Sequence, residues 1–122
     1  MSLTVEISIR WAAGPVAIKT DGLTLKGVGT AVIDGAGQDA VTIAGTDNVT
    51  LSDFEVRNGL NGIVGLSGAH LTLCNVSAHD NLVFGITLQT TSSASLSGVS
   101  ATNNGVHGLD LDTGSAARGT FS

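Results

Sequence analysis

The sequence predicts an all-β solenoid, a coil of short parallel strands, on the strength of three observations. Stretches beginning Asn48-Val49-Thr50-Leu51, His70-Leu71-Thr72-Leu73 and Ser93-Ala94-Ser95-Leu96 superimpose at a spacing of 22 to 23 residues, and reach Gly62-Ile63, Gly85-Ile86 and Gly108-Leu109 in the same order. A fixed period of that length marks stacked repeats. Within each repeat, apolar and polar residues alternate over three short runs, which is the strand period, and no 3.6-residue helical period is visible. Seventeen glycines and a single proline in 122 residues supply the turns, without the glycine spacing of collagen.

Residues 1–15 read as an N-terminal edge strand or the start of the first rung, because Val5, Ile7 and Ile9 alternate. Residues 16–122 read as the coil proper. Val16 and Ile18 close one rung, Asp21-Gly22 makes a turn, and Leu23-Thr24-Leu25 opens the next. An insertion then carries Val32-Ile33-Asp34-Gly35-Ala36-Gly37 before Val41 restores the register. From there the columns are regular. Val49, Leu71 and Ala94 align, then Leu51, Leu73 and Leu96 two residues on. After a two-residue corner come Phe54, Val76 and Val99, then Val56, Ala78 and Ala101. A third strand stacks Val41, Ile63, Ile86 and Leu109, with Ile43, Gly65, Leu88 and Leu111 two places later. The residues between these apolar pairs are expected to face solvent: Thr50, Thr72 and Ser95; Glu55, Ser77 and Ser100; Thr42, Val64, Thr87 and Asp110.

Each circuit must turn within a few residues, so its corners need side chains that tolerate positive φ. Asp53, Asn75 and Gly98 align at the first corner, and Asn58, Asp80 and Asn103 at the next, with Gly59, Asn81 and Asn104 beside them. Stacked Asn and Asp side chains can bond the backbone of neighbouring rungs, as in other cross-β stacks.

Composition narrows the function classes. Net charge is −5 with five basic residues, which argues against nucleic-acid binding and against adhesion to an anionic membrane. No segment is long enough to insert in a membrane, and the apolar run near the N-terminus is too short and interrupted for a secretory signal. Cys74 is alone, so an intrachain disulfide is excluded, and its column holds Ser52 and Ser97. Gly35-Ala36-Gly37-Gln38-Asp39-Ala40 matches a dinucleotide glycine fingerprint on paper. The match fails on context, since a strand at Val41-Thr42-Ile43 follows where a helix is required. The sequons Asn48-Val49-Thr50 and Asn75-Val76-Ser77 arise from the repeat itself.

The rung pattern over residues 16–122 resembles the right-handed parallel β-helix of the pectin-lyase-like superfamily, with about five rungs. Within it, Val76-Ser77-Ala78-His79-Asp80-Asn81 and Asn103-Asn104-Gly105-Val106-His107-Gly108 are similar to the catalytic module of mannuronan C5-epimerases, which act on alginate. That resemblance implies polysaccharide bound along the third strand, lined by Thr42, Val64, Thr87 and Asp110, with Leu66, Gln89 and Asp112 one outward position later. In those epimerases a Gly-Ile-Asp-Pro-His strand carries the reactive Asp and His. Here Gly62-Ile63 leads into Val64-Gly65-Leu66, and only His107, before Gly108, carries over as a catalytic candidate. C5 epimerisation needs an acid and a base on opposite faces of the sugar, which Val64 and Leu66 cannot supply. A second resemblance, of His107-Gly108-Leu109-Asp110-Leu111-Asp112-Thr113 to polygalacturonase-type hydrolases, implies that His107 stands where their first catalytic Asp would, with its paired Asp about one rung further on; strand spacing separately sets Asp110 and Asp112 about 6.5–7 Å apart at i, i+2, as the paired carboxylates of glycoside hydrolysis require.

Thr87, Gln89, Asp110, Asp112, His79 and Arg57 are therefore the candidate substrate-binding residues. Asp80, Asp110 and Asp112 are candidate calcium ligands, since hard cations take carboxylate oxygens and an acidic protein needs a bridging ion to hold an acidic polysaccharide. Outward acidic residues also fit a merely solvated face. The functional expectation is an extracellular or cell-surface module contacting a uronate-type polysaccharide, non-catalytic or catalytically incomplete. An active epimerase-like or hydrolase-like enzyme and a structural stalk are the alternatives. A stub of about five rungs, roughly 25 Å long, exposes strand edges at its ends, so a segment of a longer solenoid or end-to-end self-association is expected.

Overall fold

The computed structural model describes residues 5–13, 16–112 and 114–121. Among the described residues there are eleven strands and no helix: β1 (Val5–Ala13), β2 (Val16–Ile18), β3 (Leu23–Asp34), β4 (Val41–Ala44), β5 (Val49–Arg57), β6 (Ile63–Leu66), β7 (His70–His79), β8 (Phe84–Leu88), β9 (Ser93–Thr102), β10 (His107–Leu111) and β11 (Ala116–Phe121). The odd-numbered strands form one six-stranded sheet in the order β1-β3-β5-β7-β9-β11, and the even-numbered strands form a five-stranded sheet in the order β10-β8-β6-β4-β2. All pairings between them are parallel. Four circuits of the chain thus separate β2 from β10. The side chains of Val5, Ile7 and Ile9 lie outside the described residues, as do residues 1–4, 14–15, Thr113 and Ser122.

The register follows the repeat. Val49 pairs with Leu71 and Leu71 with Ala94; Leu51, Leu73 and Leu96 stack in the same way. On the other sheet Val41, Ile63, Ile86 and Leu109 form one column. These side chains make a continuous aliphatic core running the length of the coil, with Ile43, Val49, Leu51, Ile63, Leu73, Ile86 and Leu88 wholly buried. Burial of that kind stabilises by roughly 1.5–3 kcal/mol per large aliphatic side chain.

The first two expected strands of each rung are one bent strand. Leu51 and Phe54 both point inward although three residues apart, an odd spacing that plain alternation forbids. The extra residue is Asp53, whose left-handed φ of 62° turns the chain and resets the alternation; Asn75 (φ 53°) and Gly98 (φ 64°) do the same in the next rungs. The short polar side chains of Asp and Asn, and the missing Cβ of glycine, make that conformation accessible. In β3 this bend is wider. Lys26 pairs with Ser52 and Ala31 with Phe54, so residues 27–30 stand opposite Asp53 alone. The insertion expected to carry Val32-Ile33-Asp34 is therefore this bulge, and Val32, Ile33 and Asp34 sit in regular register with Glu55, Val56 and Arg57.

Asn58, Asp80 and Asn103 occupy the second corner, with φ of 56°, 56° and 53°. The glycine-rich segment at Gly35–Gly37 leads directly into β4, which removes the helix a dinucleotide site requires.

Candidate functional site

The outer face of the five-stranded sheet carries the expected column: Thr42 pairs with Val64, Val64 with Thr87 and Thr87 with Asp110. Its exposure differs from expectation. Val64 is 3% exposed and Thr87 0%, yet neither belongs to the aliphatic core. The middle of the outer face is thus shielded from solvent, while Thr42 and Asp110 at either end of the column are half-buried. Gln89 Nε2 donates to Thr87 Oγ1 at 3.4 Å, and that hydroxyl donates onward to Asp110 Oδ2 at 3.1 Å. Thr87 is a buried link between two ligand-accessible groups, and Val64 is unavailable to a polymer. Gln89 and Asp110 are half-buried and Asp112 is exposed.

His107 opens the same face. It pairs with Phe84 across the sheet, and the two rings stack with centroids 6.0 Å apart and planes 7° from parallel. The rungs behind this pair are tied together at the same corner. Asn61 donates its side-chain amide to Asp39 Oδ1 at 3.0 Å, and its own Oδ1 accepts the Phe84 N–H at 3.1 Å.

Arg57, His79 and Asp80 belong to a different side of the coil, at the ends of β5 and β7 in the six-stranded sheet. Arg57, His79 and Thr102 align as the repeat predicts. His79 lies between two carboxylates, with Nε2 3.3 Å from Glu55 Oε1 and Nδ1 2.7 Å from Asp80 Oδ2, and the Arg57 guanidinium reaches Glu55 at 3.6 Å. Nearby, Asp34 accepts the Asn58 side-chain amide at 3.1 Å and the Ala36 N–H at 2.9 Å; these bonds, with a smaller effect of Arg57, lower its pKa below the ordinary value. Asp80 is thus drawn to His79 and away from Asp110 and Asp112. Among the described residues no group of three or more His, Cys, Asp or Glu side chains gathers to hold a metal ion.

A third feature went unread in the sequence. Outside the first arm of the six-stranded sheet, β7, β9 and β11 border a cleft of about 620 Å³, lined by Asn48, His70, Thr72, Ser93, Ser95 and Arg118 among others. His70 pairs with Ser93, and Thr72, Ser95 and Arg118 form the neighbouring column. Small outward residues in consecutive rungs leave the hollow, and that run of Ser, Thr and Ala was the available signal. His70 is fixed by Asp47, with Nδ1 2.5 Å from Oδ1.

Parallel strands, aliphatic stacking and left-handed corners at each rung together define a β-helix. The chain belongs to the family described as right handed beta helix region, whose model matches residues 17–121. Comparison with curated proteins found no match, and neither did comparison with solved structures.

Proposed function

We propose that this β-helix is a non-catalytic module that contacts polysaccharide outside the cell, using the outer face of the five-stranded sheet. The observation carrying the reading is the stacked Phe84–His107 pair beside the hydrogen-bonded series Gln89–Thr87–Asp110. A sugar ring has an apolar C–H face and a rim of hydroxyls. Flat rings suit the first, and a preorganised amide and carboxylate suit the second, because Thr87 holds both in place before any ligand arrives. Phe84 with Gln89 and His107 with Asp110 lie on two adjacent rungs about 4.8 Å apart, so a polymer can engage both rungs at once.

An epimerase-like or hydrolase-like reaction is less well supported by this geometry. The position of the reactive Asp in the epimerase strand holds buried Val64, and one face of the His107 ring is occupied by Phe84. Asp110 and Asp112 accept hydroxyl donors readily, but they repel a polymer's own carboxylates. Acidic polymers are therefore expected to bind this strip better when calcium screens the charge, and neutral ones to be indifferent to it.

A polysaccharide-array screen, with and without calcium and followed by product analysis, tests the proposal. Binding without turnover, weakened about 5- to 10-fold in Gln89→Ala and Asp110→Ala, is expected. Product formation abolished in His107→Ala would establish the enzyme instead, and absence of any polysaccharide ligand would favour a structural stalk.

A further inference from the structure

We infer that the cleft on the first arm of the six-stranded sheet is a separate binding site for the carboxylate of an acidic sugar, anchored on Arg118. Its volume of about 620 Å³ lies within the range of small-molecule sites. Arg118 is exposed at the rim of this cleft and forms no ion pair among the described residues, whose salt bridges engage Arg57, His70 and His79 instead. A guanidinium free of carboxylates, in a chain of net charge −5, is the group best suited to take a carboxylate in two parallel hydrogen bonds. The rest of the lining suits a sugar. Thr72, Ser93 and Ser95 present hydroxyls that donate or accept. His70 Nδ1 meets the Asp47 carboxylate, which holds the ring in place at the cleft.

The spacing also limits the ligand. His70 lies on β7 and Arg118 on β11, two rungs away, or about 9.5 Å along the coil axis. A disaccharide can span that distance, with its carboxylate at Arg118 and a hydroxyl at His70. The site lies on a different sheet from the strip described above. It rests on the reading of the protein as a polysaccharide binder only for the class of ligand, and it names that class as uronate.

Titration of the isotopically labelled chain with digalacturonate, followed by amide chemical shifts, tests the inference beside two variants. Arg118→Gln is expected to lose at least 10-fold in affinity, with shifts at Thr72, Ser95 and Arg118 in the wild type, while the charge control Lys19→Gln, exposed and outside the cleft, leaves this binding unchanged. Arg118 is exposed, so the substitution leaves the core intact, and circular dichroism checks this. Unchanged affinity in Arg118→Gln, or shifts absent from the cleft, would overturn the inference even if polysaccharide binds the strip. Cleft shifts without polymer binding to the strip would support it and remove only the function proposed above. Acetate competing as well as digalacturonate would reduce the site to a simple carboxylate anchor and overturn sugar recognition.

Discussion

Asn104 stands one rung beyond Asn81 and accepts two hydrogen bonds from it through a single oxygen: Oδ1 lies 3.2 Å from the Asn81 backbone nitrogen and 2.9 Å from its side-chain Nδ2. Asn81 repeats the relationship one rung back, its Oδ1 accepting the buried Gly59 N–H at 3.0 Å, and Asn104 Nδ2 donates to Ala78 O at 3.2 Å. The ladder satisfies corner groups that no strand pairing reaches. Asn81→Ala leaves the Gly59 N–H buried without this acceptor, so urea denaturation should show a loss of about 1–3 kcal/mol. A change within error would mean that the ladder accompanies the fold without supporting it.

The core makes a positional prediction. Ile86 is wholly buried between Ile63 and Leu109, whereas Leu109, in the last turn, is only partly buried. Ile86→Ala should destabilise by about 2–5 kcal/mol and Leu109→Ala by distinctly less. Equal losses would show that another layer covers the last turn in solution.

Acid should act through Asp34. Its folded pKa lies below the ordinary value of 3.8, first because of the Asn58 amide, then the Ala36 N–H, with a smaller contribution from Arg57. A depressed carboxyl pKa contributes stability that is present above the unfolded value and is lost as pH falls through the folded value. The window therefore lies in the region of pH 4 and below. In Asn58→Ala the Asp34 carboxyl resonance should titrate at higher pH than in the wild type. An unmoved titration would remove Asn58 as the principal cause.

Much of this architecture was legible in the chain. The columns Val49–Leu71–Ala94 and Ile63–Ile86–Leu109 were readable because inward positions tolerate only aliphatic side chains, and Asp53–Asn75–Gly98 because few residue types adopt a left-handed φ. The site was less legible. Alternation says which face a residue points to, but not what lies over that face, and so Val64 and Thr87 were expected in solvent. The Phe84–His107 stack went unread, because repeat spacing can align two rings without saying whether they meet. Arg57, His79 and Asp80 were grouped with the strip because sequence spacing does not tell which side of a coil a corner residue joins.

Thr87 offers a test of the link between packing and binding. Thr87→Val keeps the volume but removes the hydroxyl that joins Gln89 to Asp110. Polysaccharide affinity should fall about 3- to 10-fold although Thr87 itself is inaccessible, because Gln89 and Asp110 lose their preorganisation. Thr87→Ser should retain most of it. Equal loss in both variants would assign the effect to packing.

The outer face of the five-stranded sheet is the proposed polysaccharide surface. The direct measurement is amide shift mapping of the labelled chain during titration with a polymer found by the array screen. Shifts concentrated at Phe84, Gln89, His107 and Asp110 are predicted, following the register of β8 and β10. A bound polymer that leaves those four residues unperturbed would contradict the account.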